Sequence, residues 1–520
     1  MVKLPIPSLL FRLGLLLGLV SSGAFAAPAD HTLDLDTVSE AAEPGVSGVE
    51  PATHVGGLSW KEYFGQHPSL KNLELGIKMG GSAPLSKQES TPMIPASVEK
   101  IFTASAALRH LGSTLRFENS FSGRVNSISG VLLKPHFRVS GDPTWGSEYY
   151  EGVLNGTHAQ HNESITSRLQ PVIRTLIALG VRRVQGPIEM ESLRPRLASE
   201  GRPGDWKPEW NLQCMAQLQT EFVANGNCGV FKIHSPSKYG WITSGVTVPV
   251  EVKATRTRSG ASKLKVVPVF DDLGRILSYS ITGTLSQVPI EYALPVHQGV
   301  DWLRNLFIEE LKKASIEYDE SGVESWFQLA VSSPIDLDLS SRPLVDVLRT
   351  AVQYSINGVM DRVFLEIGYA LGRPAEAVLK EHVQAMVRDP ALLQGIEMND
   401  GSGLSTGDRM RPDTVHAFLV ALRDQPWFHD FFSTLAVAGK SGTLQHRATL
   451  ANSIYTNGKI YGKTGTLGGI INLAGYFASS ESAVPEPFVI LTRSSLSADA
   501  VRPMVDGIVV NFAARNTQRK

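Results

Sequence analysis

A run of apolar residues that follows Ser97 constrains the fold of this chain most strongly. From Ser97 to Leu111 almost no polar face is left, and Gly112 follows at the end. This pattern is typical of a helix that is buried on all sides and ends at a glycine. The chain has 520 residues, of which 42% are hydrophobic, so it is long enough to surround such a helix with a large core.

The first turn of this predicted helix carries a candidate nucleophile. Unpaired N–H groups and the helix dipole favour negative charge there, and Lys100 follows Ser97 by three residues, so its amine can fold back over the hydroxyl. A lysine in apolar surroundings can be neutral enough to take the proton of a serine. Ser-x-x-Lys alone is a weak pattern, and taken by itself it favours a helix-capping serine followed by a surface lysine.

Ser355-x-Asn357 is a second candidate segment, and it precedes a predicted helix over residues 358–371. A hydroxyl and an amide two residues apart on a helix-entry loop can both point into a cleft. The alternative interpretation is an ordinary helix cap.

Lys463-Thr464-Gly465-Thr466 is the third candidate segment, and it lies on a predicted strand. A lysine and a hydroxyl can there hold a substrate carboxylate, while the glycine lets the substrate backbone approach closely. Each segment is weak evidence alone. Together, and in helix, loop and strand contexts, they predict one catalytic cleft.

The N-terminus predicts export. Basic residues, an apolar run over residues 13–20 and small residues ending at Ala26 are typical of a signal peptide over residues 1–26. A membrane anchor is the alternative, although the run is short for a span, and no later stretch predicts one. Residues 27–56 are acidic and predict a flexible leader, or else a partner-binding segment.

The net charge of the whole chain is −1, which argues against nucleic-acid binding.

The composition of the chain changes between the first and second candidate segments. Residues 115–292 are predicted to form an inserted β-rich accessory region of one or two domains, and residues 57–114 and 293–520 to form the domain that carries the motifs. A single continuous domain is the alternative. The two cysteines, Cys214 and Cys228, predict a local disulfide in an oxidising compartment, with two free thiols as the alternative.

The three segments in this order resemble the motifs of penicillin-binding proteins and serine β-lactamases. The resemblance narrows to the class C low-molecular-mass penicillin-binding proteins, which are D-alanyl-D-alanine carboxypeptidase/endopeptidases. It rests on residues 95–100, 141–144, 399–405, 463–467 and 473–476, and covers nearly all of the chain after the leader. It implies an α/β (α+β) fold in which a β-lactamase/transpeptidase-like domain, an antiparallel sheet flanked by helices, carries an inserted β-rich accessory region.

The same resemblance implies a periplasmic serine D,D-peptidase that cleaves peptidoglycan stem peptides. Ser97 would attack the carbonyl between two D-alanines, and Lys100 would take its proton. Ser355 would help to relay a proton to the leaving amine, while Asn357 would hold the acyl side. The resemblance implies no cofactor and no metal, and β-lactam antibiotics would act as covalent inhibitors. The oligomeric state is not indicated.

The strand motif would complete the site. Lys463 would supply positive charge, keep Lys100 neutral by repulsion and, with Thr464, hold the terminal carboxylate. Gly465 would leave room for the substrate backbone. The backbone N–H groups of Thr466 and of the nucleophile would form the oxyanion hole.

Substrate preference stays open at this stage. The resemblance makes Asp142 a candidate contact to the diaminopimelate of the stem peptide, with a turn-forming Asp-Pro as the alternative. Thr406 stands where the family commonly has an arginine, and Arg409 is displaced from that position. Carboxypeptidase and endopeptidase activity are therefore both open, as are a serine β-lactamase and a catalytically silent peptidoglycan-binding protein.

Three other patterns suggest rival sites. Lys440-Ser441-Gly442-Thr443 also fits the lysine–hydroxyl–glycine pattern, but the polar residues after it predict no strand pair, which favours Lys463. The segment 403–407 fits a nucleophile elbow around Ser405, but no helix follows it directly. The last pattern is the group His158, His161 and Glu163, whose spacing matches no standard metal site.

Overall fold

A computed structural model describes most of the chain. The described residues are 33–34, 57–81, 84–146, 166–194, 206–207, 210, 216, 222–224, 227–237, 240–244, 249–257, 263–270, 276–286, 290–323, 325–480 and 482–518. The predicted signal peptide, nearly all of the predicted leader, Cys214 and the group His158, His161 and Glu163 lie outside them. Cys228 is buried and disulfide-bonded.

The described elements include runs of consecutive strands and runs of consecutive helices. The strands are β1 Leu33–Asp34, β2 Glu74–Met79, β3 Leu85–Lys87, β4 Ser120–Asn126, β5 Val131–Val139, β6 Arg183–Gln185, β7 Glu189–Ser192, β8 Cys228–Ser237, β9 Gly240–Ser244, β10 Val250–Arg256, β11 Lys263–Phe270, β12 Ile276–Leu285, β13 Ile290–Pro295, β14 Glu317–Asp319, β15 Ser333–Asp338, β16 Ala436–Val437, β17 Ile460–Leu467, β18 Ile470–Phe477 and β19 Glu486–Arg493. The α-helices are α1 Trp60–Gln66, α2 Lys100–His110, α3 Gln170–Ala178, α4 Val300–Lys313, α5 Trp326–Ala330, α6 Leu344–Gln353, α7 Asn357–Leu371, α8 Ala375–Val387, α9 Pro412–Leu422, α10 Phe428–Ser433, α11 Ala448–Ala451 and α12 Ala498–Gln518.

The sheet that carries the strand motif is six-stranded and antiparallel, in the order β16-β17-β18-β19-β2-β3. Its central strands are buried on both faces, and successive side chains alternate between them. Leu473 and Ile490 face the core formed with α12, whereas Ala474 and Val489 face the core formed with α2 and its neighbours. The sheet is therefore the middle layer between two helical layers.

The apolar run after Ser97 forms the expected buried helix. A 3₁₀ turn, Ala96–Glu99, leads into α2, in which Phe102, Ala104 and Ala106 are fully buried. The helices α6 to α10 pack around α2 in one core. Gly112 follows the helix with a φ of +82°, a conformation that favours glycine.

The described residues of the inserted region form a separate core and contribute strands to three sheets. The largest runs in the order β14-β6-β5-β4-β15, with β7 also paired to β5, and two smaller sheets run β1-β11-β12-β10 and β13-β8-β9. Phe121, Phe137 and Phe307 meet at the centre of this core, with ring centroids 4.7 to 5.3 Å apart.

The core of the inserted region also includes residues beyond the boundary expected after residue 292. The helix α4 and the strands β14 and β15 pack with the inserted core, which extends to Leu339. The reason is long-range pairing, because β15 pairs with β4 and β14 pairs with β6. We therefore propose that the inserted region ends near Leu339.

The architecture confirms the predicted fold class, with antiparallel sheets and helices in one mixed α/β chain. Within the part of the chain that the structure describes, none of the helices is both long and apolar enough to cross a bilayer.

Candidate active site

Ser97 lies in the 3₁₀ turn that precedes α2, and it is partly exposed. The turn begins at Ala96, whose φ of +46° is unusual for a residue with a side chain. Lys100 Nζ donates a hydrogen bond to Ser97 Oγ over 2.9 Å. The predicted serine–lysine pair is therefore in direct contact in the folded chain.

Lys100 is fully buried and makes two further hydrogen bonds. Its Nζ donates to Asn357 Oδ1 and to the carbonyl oxygen of Ser402, each over 2.7 Å. Burial lowers the pKa of Lys100 from 10.5 to about 8, although the nearby carboxyl groups of Asp361 and Asp400 oppose that shift. A substantial fraction of the amine can thus be neutral near neutral pH.

The expected cause of this neutrality was repulsion from Lys463, and the structure gives a different one. The charged groups that perturb Lys100 are carboxylates, which favour its protonated form, so desolvation is what lowers its pKa. The repulsion acts instead on Lys463, where the pKa is lowered first by burial and then by the charge of Lys100. Removing water from the site is therefore the main means of activating Lys100.

Ser355 and Asn357 lie at the junction of α6 and α7. Ser355 has a φ of +59°, and its Oγ accepts a hydrogen bond from Lys463 Nζ over 2.9 Å. Asn357 begins α7, and its amide oxygen accepts from Lys100. Ile356 caps the helix without any side-chain hydrogen bond, so Ser355 does not act as the helix cap.

Lys463 lies on β17, fully buried, and also donates to the carbonyl oxygen of Thr464 over 2.8 Å. Gly465 lies against the serine turn, where an added Cβ would come within 2.7 Å of the carbonyl oxygen of Pro95. A glycine here therefore lets the strand itself approach the turn that carries the nucleophile. Thr466 is exposed at the end of the strand.

Asn472 is a site-building residue that the sequence analysis missed. Its side chain is fully buried on β18, and Nδ2 donates to the carbonyl oxygens of Ile94 and Pro95 over 2.9 Å each. Its Oδ1 accepts from the backbone N–H of Thr492 over 2.7 Å. A lone amide among the apolar residues of a central strand was the available signal.

The segment 399–405 forms a tight loop under Lys100. The carboxylate of Asp400 accepts hydrogen bonds from the backbone N–H groups of Ser402, Gly403 and Ser405. Gly403 has a φ of +79°, and an added Cβ would lie 2.0 Å from the carbonyl oxygen of Ala96. Ser405 is fully buried, and its hydroxyl accepts from the backbone N–H of Gly407, which favours a structural role over that of a nucleophile.

The rival lysine motif lies beside the site without supplying its lysine. Lys440 is exposed, whereas Lys463 is the lysine that contacts Ser355. Thr443, from the same rival motif, contacts Thr464 through their hydroxyl oxygens, which are 3.0 Å apart.

Asp142 lies in the inserted region, and its side chain is 2% exposed. Its carboxylate accepts from Asn119 Nδ2 over 2.9 Å and from the backbone N–H of Thr144 over 2.8 Å, and it pairs with Arg168. This geometry favours the turn-forming alternative. The contact to diaminopimelate stays a prediction. Among the described residues, no group of three or more His, Cys, Asp or Glu side chains could hold a metal ion.

Comparisons with known proteins identify the family of this chain. The sequence model of the D-Ala-D-Ala carboxypeptidase 3 (S13) family matches residues 61–515. A D-alanyl-D-alanine carboxypeptidase of Actinomadura sp. (strain R39) is 25% identical over 86% of this chain and 82% of its own length. The carboxypeptidase DacB of Mycolicibacterium smegmatis is 30% identical over 78% of this chain and 74% of its own length.

Solved structures agree on the fold. Penicillin-binding protein 4 (dacB) from Haemophilus influenzae superposes with a TM-score of 0.60 at 20% identity, covering 86% of this chain and 96% of that one. The same protein complexed with a β-lactam gives a TM-score of 0.56, again at 20% identity and with the same coverage of both chains. Because the family model spans most of the sequence, this chain belongs to the D-Ala-D-Ala carboxypeptidase 3 (S13) family and is a serine-type D,D-peptidase.

Proposed function

We propose that Ser97 is the nucleophile of this D,D-peptidase and that neutral Lys100 is its general base. The observation that carries this proposal is the 2.9 Å contact between Lys100 Nζ and Ser97 Oγ, made by a lysine that is fully buried and has its pKa lowered to about 8. Proton transfer requires this kind of hydrogen-bond distance and a base whose pKa lies near the working pH.

Acylation follows from this arrangement. Ser97 Oγ forms a bond to the carbonyl carbon of the penultimate D-alanine while its proton passes to Lys100 Nζ. The negative charge on the carbonyl oxygen is held by the backbone N–H groups of Ser97 and Thr466, an interaction typically worth about 3 kcal/mol of barrier. The C–N bond then breaks, and the leaving amine takes a proton through Ser355. Water later attacks the ester and releases the acyl group.

Lys463 and Thr464 hold the terminal carboxylate of the substrate in this proposal. Lys463 Nζ lies 2.9 Å from Ser355 Oγ, so its charge also favours proton delivery by that hydroxyl. Asn357, which is tied to Lys100 over 2.7 Å, orients the lysine and the acyl side of the substrate. Gly465 keeps this strand close to the turn that carries Ser97, where a side chain would meet the carbonyl oxygen of Pro95.

The substrate is proposed to be the stem peptide of peptidoglycan, cleaved by carboxypeptidase action, endopeptidase action or both, in the periplasm after export. The family is a class of cell-wall enzymes, and a homologous protein from Haemophilus influenzae is named a D-alanyl-D-alanine carboxypeptidase. β-Lactams resemble the acyl-D-alanine end and would esterify Ser97, as supported by the β-lactam complex of the Haemophilus influenzae protein.

Intact-protein mass spectrometry after penicillin treatment tests the assignment. We expect one penicillin adduct on the wild type, none on Ser97→Ala, and an unchanged adduct on Ser405→Ala, which removes the serine of the rival elbow. Peptide mapping locates the ester. An adduct on another residue, or none on the wild type, would overturn the assignment.

Two further measurements separate the alternatives. Release of D-alanine from a pentapeptide distinguishes an enzyme from a silent peptidoglycan-binding protein. Persistence of the penicillin ester for minutes distinguishes a D,D-peptidase from a β-lactamase, which would hydrolyse the ester rapidly. A cross-linked muropeptide used as a second substrate compares endopeptidase with carboxypeptidase activity.

A further inference from the structure

We propose that Thr443 is a positioning residue that orients the hydroxyl of Thr464 toward the carboxylate of the substrate. This inference rests on the proposed function, in which Thr464 binds that carboxylate. Its basis is the 3.0 Å contact between Thr464 Oγ1 and Thr443 Oγ1 at the partly exposed edge of the cleft. Among the described residues, the Thr443 hydroxyl forms its hydrogen bond with Thr464.

The turn that carries Thr443 is built rigidly into the catalytic domain. The turn follows β16, which pairs with β17 next to Lys463. Within the turn, the backbone N–H of Gly439 donates to the carbonyl oxygen of Leu444 over 3.1 Å. Leu444 is fully buried. The Ser441 hydroxyl accepts from the backbone N–H of Val437 over 3.1 Å. These contacts fix the position of the Thr443 hydroxyl relative to the strand.

Gly442 fits this turn against the end of α6. Its φ is +58°, and an added Cβ would lie 2.5 Å from the carbonyl oxygen of Gln353. Gln353 is the last residue of α6, just before the loop that carries Ser355. The turn is thus held between the two elements that supply the hydroxyl and the lysine of the site.

The chemical reason lies in the single proton of a hydroxyl. A threonine donates one hydrogen bond and accepts through two lone pairs, and its hydrogen rotates to suit its partners. In the structure Thr464 donates to Thr443. With a carboxylate bound, Thr464 donates to that carboxylate instead, and Thr443 then donates to Thr464 Oγ1. A hydroxyl that accepts one hydrogen bond donates a stronger one, so Thr443 strengthens the contact to the carboxylate. Without Thr443, the hydroxyl of Thr464 loses the hydrogen bond that orients it.

The expected consequence is selectivity for ligands with a free carboxylate. The carboxylate is held equally in the ground state and in the transition state, so loss of Thr443 raises KM and leaves kcat nearly unchanged. A ligand whose carboxylate is esterified gains little from Thr443 in the first place.

The test compares acylation of the full protein by benzylpenicillin and by its methyl ester. In Thr443→Val we expect about a tenfold lower second-order rate constant for the free acid, and a change within about twofold for the ester. Thr443→Ser, which keeps the hydroxyl, should restore most of the rate with the acid. Lys440→Ala, on the same turn but exposed, is the matched control and should change neither rate.

A double-mutant cycle tests the relay itself. If Thr443 acts through Thr464, the double variant Thr443→Val/Thr464→Val should be no slower with the acid than Thr464→Val alone. Additive losses would overturn the relay, as would an equal loss with acid and ester. Failure of the wild type to be acylated at Ser97 would instead overturn the proposed function, and this inference with it.

Discussion

The rate of acylation should rise steeply with pH, because the neutral form of Lys100 is the active one. Burial lowers the pKa of Lys100 to about 8, so raising the pH through that value removes the proton that blocks its role as a base. With this pKa the neutral fraction is about 1% at pH 6, about 10% at pH 7 and about 90% at pH 9. The rate constant for acylation should therefore rise about 90-fold between pH 6 and pH 9.

The assay should isolate Lys100 from the other lysine of the site. Burial and the charge of Lys100 also lower the pKa of Lys463, and loss of that charge weakens binding of a carboxylate. Acylation by a penicillin methyl ester avoids this second dependence, and mass spectrometry of quenched samples gives the rate. The second-order rate constant reports the pKa of the free enzyme.

Lys100→Arg is the control for this profile. A guanidinium cannot lose its proton in this pH range, so the variant should be slower by about 10²- to 10⁴-fold and its residual rate should lack the rise. A wild-type rate that is flat or falls from pH 6 to pH 9 would refute the argument. An equal rise in Lys100→Arg would show that another group titrates.

Three further predictions concern other parts of the fold. Lys463→Ala should lower the rate constant of acylation by benzylpenicillin on the order of 100-fold, because it removes a charged hydrogen-bond donor. Lys440→Ala should change this rate constant by no more than about twofold. A larger loss in Lys440→Ala than in Lys463→Ala would assign the site to the rival motif. Asn472→Ala should lower the free energy of unfolding by about 2–4 kcal/mol in urea titrations, because it leaves buried backbone groups without partners. A loss of less than about 0.5 kcal/mol would contradict this prediction. Burial lowers the pKa of His382 from 6.5 to about 3, so the unfolded chain binds a proton that the folded chain does not. Stability should therefore fall by about 1.6 kcal/mol between pH 6.5 and pH 5. His382→Gln should show a shallower loss, and equal pH slopes in the two proteins would refute the assignment.

Much of the candidate site could be predicted from the sequence because its chemistry is encoded locally. Ser97 and Lys100 are three residues apart, so a single helical turn brings them into contact at 2.9 Å, although the structure forms that turn as a 3₁₀ turn before α2. The helix over residues 358–371 and the strand that carries Lys463 were likewise predicted from local patterns, and they correspond to α7 and β17.

The end of the insertion was not predictable in this way. Residues 293–339 contain ordinary helix and strand patterns, and these patterns do not say which core they join. We assign them to the inserted core because β15 pairs with β4, and these two strands are separated by most of the inserted region. Strand pairing over such separations depends on the whole fold.

The sequence by itself indicated the reaction class, because its three motifs resemble, in type and order, those of the penicillin-binding proteins. Only the tertiary structure decided why the pKa of Lys100 is lowered, since burial is a property of the packed core and not of a motif. It also decided that Asn472 anchors the serine turn and that Thr443 lies next to Thr464. Such contacts join atoms of distant segments, so they form only after the segments have packed together.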